Sequence, residues 1–260
     1  MKKFFTDFKV GISSYSSAWK LIKEKKMWGY FFLPLSLSIA LSFTMYYLRE
    51  EVYNHVESIL VSFINYEQWW EWAQWLTGWF IQISLFVLAW YVYLKIQKYI
   101  LFIVLSPVLA YLSEKTEQQL TGKTYPFNFK QFIKDIFRGI FVAVRNFILE
   151  LSLLFVLFLL GLIPVLTPFT GALALLIGWY FYGYSLMDYT NERQKLNLEQ
   201  SSQSIKNKRG IAVANGMIFE LIFIIPILGF VVAPILGTVA ATIAMQDDMR
   251  EKKDSLQKLK

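Results

Sequence analysis

The chain has no cysteine and only one histidine, His55, in 260 residues. Disulfides, thiolate nucleophiles and sulfur-ligated metals are therefore excluded, and a single imidazole does not make a zinc site. Ser-His-Asp catalysis would have to use His55, with no nucleophile elbow near it, so this residue reads as a solvated loop histidine. A Gly-x4-Gly-Lys-Ser/Thr phosphate loop is also missing, so ATP-driven transport within the chain is disfavoured and no cofactor is expected. Asp247 and Asp248 are adjacent at the end of an apolar run. They read as a helix-end charge cluster, not an acid/base pair, and the chain is not expected to be an enzyme. A secretory leader would begin its apolar core within a few residues of the basic N-terminus. Here the first long apolar run begins near Tyr30, so the N-terminus is expected to be retained.

Apolar and aromatic residues dominate. Hydrophobic residues make up 56% of the chain, with nine Trp, 15 Tyr and 23 Phe, and the mean hydropathy is +0.42. A soluble domain of this size is nearer 45–50% apolar. The net charge is +7. Its basic residues flank apolar runs and do not gather on a polar domain, which argues for anionic lipid and against nucleic acid as partner. The expected class is an all-α, polytopic integral membrane protein.

Residues 1–29 hold an amphipathic N-terminal segment, with Phe5, Phe8, Ile12, Tyr15, Trp19 and Ile22 on one helical stripe. It suits a helix lying flat on the membrane or one packed on the protein's own core. Residues 30–48 contain no charge before Arg49. At 1.5 Å per residue they reach roughly 28 Å, one hydrocarbon thickness, and read as a first transmembrane helix. Residues 49–75 are acidic and close with Trp69, Trp70, Trp72 and Trp75, as expected of an outside loop with an interfacial aromatic belt. Residues 76–112 form a second long transmembrane helix, with Lys95 and Lys98 at its exit and a break or kink expected at Ser106-Pro107. Residues 113–146 form a basic amphipathic segment on the cytoplasmic side.

Two apolar blocks follow, at 147–187 and 211–246, each interrupted by Pro and Gly: Gly161, Pro164, Pro168 and Gly171, then Pro226, Gly229, Pro234 and Gly237. The halves of the second block, about 15 and 12 residues, fall short of the ~20 that a crossing needs. The second block therefore reads as a re-entrant hairpin, and the first as a tilted or partial one. A loop at 188–210 and a tail at 247–260 complete the chain. Basic residues number seven before residue 30, one in 49–75, six in 113–146, five in 188–210 and five after 246. If both blocks are hairpins, every basic segment lies on one side and both termini are cytoplasmic. Glu150 and Glu220 fall inside the blocks. Glu150 is expected at an interface, and Glu220 to face a polar cleft, structurally or in ion coupling.

The stretches WKLIKEKKMWGYFFLPL, SPVLAYLSEKTEQQLTG, YSLMDYTNERQKLNLEQSSQSIKNKRG and FIIPILGFVVAPILGTVAATIA, in this order, resemble the CysZ-type sulfate permeases and the wider etoposide-induced-protein-like membrane family. That resemblance implies an inner-membrane protein with two long transmembrane helices and two partly inserted helical pairs. It also implies homo-oligomers and sulfate uptake without ATP or a bound cofactor. In those permeases an Arg-containing turn linked to sulfate binding precedes the Leu-Pro-Leu of the first transmembrane helix. Here Leu33-Pro34-Leu35 is present, but Trp28 and Gly29 stand at the arginine positions. Lys25 and Lys26, just upstream, and Glu220 are the candidate substrate-binding residues. Arg138, Arg145, Arg193 and Arg209 are further basic residues for a cytoplasmic mouth that attracts anions. The expected function is a channel or passive permease for a small inorganic ion. The alternative is a membrane scaffold or bilayer-shaping protein that transports nothing.

Overall fold

The computed structural model describes residues 2–64, 79, 99–122, 129–163, 165–225 and 228–257. Regular structure among the described residues is helical throughout. The elements are α1 (Lys2–Glu24), a 3-10 turn (Met27–Phe31), α2 (Phe32–Ile64), α3 (Tyr99–Thr121), α4 (Phe129–Gly161), α5 (Thr167–Arg193), α6 (Leu198–Asn207), α7 (Arg209–Phe223) and α8 (Leu228–Gln257). The predicted tryptophan belt at 69–75, the run from 80 to 98 with Lys95 and Lys98, and Pro164 and Pro226 lie outside the described residues. Two compact units are present, Met1–Leu35 with Leu101–Lys260, and Ser36–Ile100. In the second unit, α2 turns Ile39, Phe43, Tyr46 and Tyr47 outward.

The first unit is built on α5, α7 and α8, with α1 laid along them. The buried stripe of α1 is Asp7, Gly11, Ser14, Tyr15, Ala18 and Ile22. Small residues recur on this face at helical spacing and let the backbones approach. Phe4, Asp7 and Phe8 meet Gly210, Gly11 meets Ile211 and Ala214, and Tyr15 meets Asn215, so α1 and α7 run parallel. The sequence stripe is thus split: Tyr15 and Ile22 face inward, whereas Phe5, Ile12 and Trp19 stay exposed. The reading of a helix packed on the protein's own core holds for the inward face, and the outward face leaves large apolar residues exposed. Burial pushes the Tyr15 phenol well above its usual range. It stays protonated and donates to the Asn215 carbonyl at 2.7 Å. Further in, Phe219 packs against Phe102, Tyr182 and Phe223 with ring centroids 5.0 to 5.5 Å apart.

Four helical stretches are long and apolar enough to cross a membrane: Met27–Thr44, Tyr99–Thr121, Phe129–Gly161 and Leu228–Asp247. Helix α2 continues past Glu50 to Ile64, so the first part of the predicted outside loop is helical. Helix α3 runs through Pro107 without ending. A proline there leaves the Ile103 carbonyl without its backbone donor, and the Ser106 hydroxyl donates to that carbonyl at 2.9 Å. Helix α4 is one continuous rod of 33 residues, joining the basic amphipathic segment to the first half of the first apolar block. Pro234 does not end α8, which therefore offers 20 apolar residues where the sequence suggested about 12. Nearly all of these 20 are buried inside the protein.

The α4–α5 pair is different. Leu151, Phe155, Phe158, Leu162, Val165, Phe169 and Leu173 are all exposed around it. Such a surface needs lipid or protein to cover it. Below it, α5 and α7 touch backbone to backbone. A Cβ at Gly183 would overlap the Ala212 carbonyl, and one at Gly216 the Trp179 carbonyl. Gly216→Ala and Gly183→Ala are therefore each expected to cost about 1–3 kcal/mol or more. Gly171→Ala, where a Cβ meets nothing within 4 Å, should not destabilise. Thermal unfolding of the detergent-purified protein measures all three, and unchanged midpoints for Gly183→Ala and Gly216→Ala would refute the contact.

Candidate functional site

The C-terminal half of α5 leaves the apolar run and stays buried. Ser185, Asp188, Thr190, Asn191 and Glu192 are all at most 7% exposed. Buried polar groups need partners, and neighbouring helices supply them. Arg138 on α4 reaches Asp188 with Nη2–Oδ1 at 3.0 Å and Nε–Oδ2 at 3.3 Å. It also lies 3.7 Å from Glu192 and donates to the Leu196 carbonyl. The Ser201 hydroxyl of α6 donates to the same Asp188 carboxylate, and Asn191 donates to Ser201 Oγ at 3.0 Å. A capping box between Asn197 and Gln200, at 2.8 and 3.0 Å, fixes the start of α6 and so holds Ser201 in place.

The next arginine on α5 is held from the other side. Arg193 Nε donates to Glu117 Oε2 at 3.0 Å, and its other nitrogens reach the Ala110 carbonyl and Ser113 Oγ, all on α3. Ser113 in turn contacts Thr242 of α8 at 2.6 Å, and Thr242 lies 3.4 Å from Thr190. The carboxylates and guanidinium groups are largely buried, with side-chain exposures of 16% or less. The network clamps α3, α4, α5, α6 and α8 together.

Arg145, two turns beyond Arg138 on α4, is built differently. It donates only to the neighbouring Asn146 Oδ1, at 3.3 Å, and its guanidinium carbon lies 5.0 Å from the Tyr184 ring centre. Asn146 donates onward to Ser185 at 3.0 Å. Neither Arg145 nor Arg209, exposed at the start of α7, has a carboxylate partner among the described residues.

The sequence candidates lie elsewhere in the unit. Lys25 and Lys26 are exposed in the turn after α1, Lys26 with a left-handed φ of 53°. The parallel run of α1 and α7 carries them roughly 28 Å from the Gly210 level, at 1.5 Å per residue. They therefore lie toward the α7–α8 turn and not beside Arg138 and Arg193. Glu220 lies toward that same end of α7. It is half-buried, with one carboxylate oxygen buried and unbonded, and it pairs with neither lysine. Glu150, expected at an interface, is 2% exposed and buried within the protein. Asp188 and Glu117 were not site candidates in the sequence. A charged run directly after the apolar half of α5 was the available signal for Asp188, and Glu117 had none.

The family model described as "Sulfate transporter CysZ/Etoposide-induced protein 2.4" matches residues 14–234. A sulfate transporter CysZ of Vibrio parahaemolyticus is 29% identical over 136 residues, which is 50% of this chain and 53% of that protein. One from Pseudomonas fluorescens is 28% identical over 134 residues, 51% and 54% of the two chains. One from Pseudomonas syringae pv. tomato is 26% identical over 143 residues, 54% and 56%. The chain spans about half the length of the curated relatives it matches.

Removing one partner of a buried ion pair strands the other charge, at a cost of about 3–5 kcal/mol. Asp188→Asn should therefore lower the thermal midpoint sharply, while the double change Arg138→Met with Asp188→Leu recovers part of the loss. Equal damage from the single and double variants would show that the ion pair is not what holds α4 to α5.

Proposed function

Since the chain belongs to the sulfate transporter CysZ/etoposide-induced protein 2.4 family, we propose that it is a passive membrane permease, of channel type, for a small inorganic oxyanion such as sulfate. The observation that carries this reading is the cluster of ionised side chains inside an otherwise apolar helical unit. Buried ionised groups are expensive to hold, and in a membrane protein such groups point to an ion pathway by default. Two helical pairs, α4–α5 and α7–α8, each broken by Pro and Gly in corresponding positions, add the usual signature of a translocation site. No phosphate-binding loop supplies ATP coupling, so a concentration gradient drives the flow.

In this reading, positive charge stands at both ends of the first unit. Arg145 and Arg209 lie at one end, with Lys25 and Lys26 toward the other. The lysines draw anions to the mouth by their field, and Glu220 tunes that field. The start of α1 and the polar part of α8 share the arginine end, and cytoplasmic termini in the inner membrane put that end at the cytoplasmic face, with Lys25 and Lys26 away from it. Both helical pairs then enter and leave from the cytoplasmic side, and copies of the chain associate through lipid-depth surfaces. A second reading, a scaffold that transports nothing, draws on the wide apolar surface around α4–α5, which also suits contact with other membrane proteins.

Flux assays on reconstituted vesicles discriminate the two readings. The permease should pass sulfate down its gradient without ATP, well above its passage of sodium. Folded protein in a silent bilayer would leave only the scaffold. Exposed charges act through a screened field, so Lys25→Gln with Lys26→Gln should slow sulfate entry several-fold at low ionic strength and little at 0.15 M salt. Loss of equal size at both salt concentrations would rule out steering by these lysines.

A further inference from the structure

We propose that Arg145 and Tyr184, with Tyr180 packed beside them, form a binding site for a tetrahedral oxyanion, supplied by a free sulfate-class ion or by a lipid headgroup phosphate. The inference deepens the permease reading and rests on it for the identity of the free ion. Its starting point is a contrast among three arginines on α4 and α5. Arg138 meets Asp188 and Glu192, and Arg193 meets Glu117. Arg145, half-buried on α4, meets no carboxylate among the described residues.

Two orphaned donors belong to neighbouring side chains here. Arg145 Nε is buried without a hydrogen-bond partner, and so is the Tyr184 hydroxyl. Tyr184 is only 3% exposed, and the guanidinium lies over its ring, so the two groups share one place. Tyr180 packs edge-on to Tyr184, ring centroids 6.1 Å apart. A buried donor left unmatched is costly, and a half-buried cation without counter-charge is more so. One oxyanion accepting from Arg145 Nε and the Tyr184 hydroxyl removes both costs. Guanidinium presents a planar fork suited to two oxygens of such an ion.

The depth of the site fits either source. Lys130, Lys134 and Arg138 precede Arg145 on α4, and exposed Ile148, Leu149 and Leu151 follow it. Arg145 therefore lies between the first part of α4, where exposed Phe137 and Phe141 alternate with basic residues, and its more uniformly apolar second part, a setting that suits a headgroup phosphate or the mouth of a permease.

Equilibrium binding of radiolabelled sulfate to the full chain in nanodiscs of phosphatidylcholine tests the site. Arg145→Gln should weaken binding by about tenfold or more, the scale of a lost charged hydrogen bond, and Tyr184→Phe by less. Arg145→Lys should fall between wild type and Arg145→Gln, since it keeps charge and loses the fork. If Arg145→Gln does not fold, Tyr184→Phe and Arg145→Lys decide the matter. Wild-type affinity in every folded variant overturns the proposal.

Nanodiscs with phosphatidylglycerol separate the sources. Sulfate displaced by that lipid identifies a site the headgroup can also occupy. Phosphatidylglycerol retained by wild type but not by Arg145→Gln in native mass spectrometry, with no sulfate bound, identifies the headgroup as ligand. If the wild type holds neither ligand, the site is refuted. Sulfate flux that persists unchanged in Arg145→Gln removes the free ion as the site's ligand in permeation and spares the permease. Arg145-dependent sulfate binding without flux in wild type does the reverse.

Discussion

Close backbone contact between α5 and α7 is the constraint on which the rest of the first unit depends. Lipid tails are as apolar as leucine, so helices in a bilayer gain little from hiding apolar surface against each other. What remains is van der Waals contact, which falls steeply with any gap. Gly183 and Gly216 remove the side chains that would hold α5 and α7 apart. With that distance set, Phe219 reaches Phe102 and Tyr182, and Tyr15 reaches Asn215. The polar half of α5 is drawn inside by the same approach.

Drawing it inside creates an electrostatic problem that the neighbouring helices solve. Asp188, Glu192 and Arg193 all enter the interior on one helix. An unpaired charge there would cost several kcal/mol, so each fixes a partner on another element. Asp188 and Glu192 take Arg138 from α4, and Arg193 takes Glu117 from α3. The pairs also dictate register: sliding α4 by one turn against α5 would break Arg138 from Asp188 and, together with it, Asn146 from Ser185. Geometry that selects one register by burying charges is weak evidence of stability but good evidence of specificity. Against that background the unneutralised Arg145 is an exception within the fold's own rule.

Much of the architecture was legible in the residues. Length and hydropathy gave the all-helical membrane class, and Pro and Gly located the turns near residues 164 and 226. The order of four short stretches pointed to the family. Legibility stopped where the controlling fact was long-range. Arg138 and Asp188 lie 50 residues apart, Arg193 and Glu117 76 apart, and no periodicity announces such pairs. It also stopped where a local signal was cancelled locally. Pro107 reads as a break because it lacks a donor, yet the adjacent Ser106 hydroxyl supplies one to the same carbonyl. In α1 the large residues mark a stripe that the structure divides between two faces, Tyr15 and Ile22 inward and Phe5, Ile12 and Trp19 outward. The inward face is set by small residues, Gly11, Ser14 and Ala18, whose value is closeness and not apolar area.

Helix α8 shows why apolar length overcounts contact with lipid. Its run from Leu228 to Asp247 is as hydropathic as the α4 stretch, yet α4 faces outward and α8 is sheathed by α1, α5 and α7. Hydropathy reports that a helix avoids water, not what replaces the water. The hydroxyls midway along this helix are already engaged within the protein. Thr238 donates to the Pro234 carbonyl, and Thr242 is engaged with Thr238 and Ser113. Any chemistry that meets an anion in this unit therefore belongs to the sheath, at the helix ends where polar side chains emerge beside apolar surface. Arg145 with Tyr184, and Lys25 with Lys26, stand at those ends.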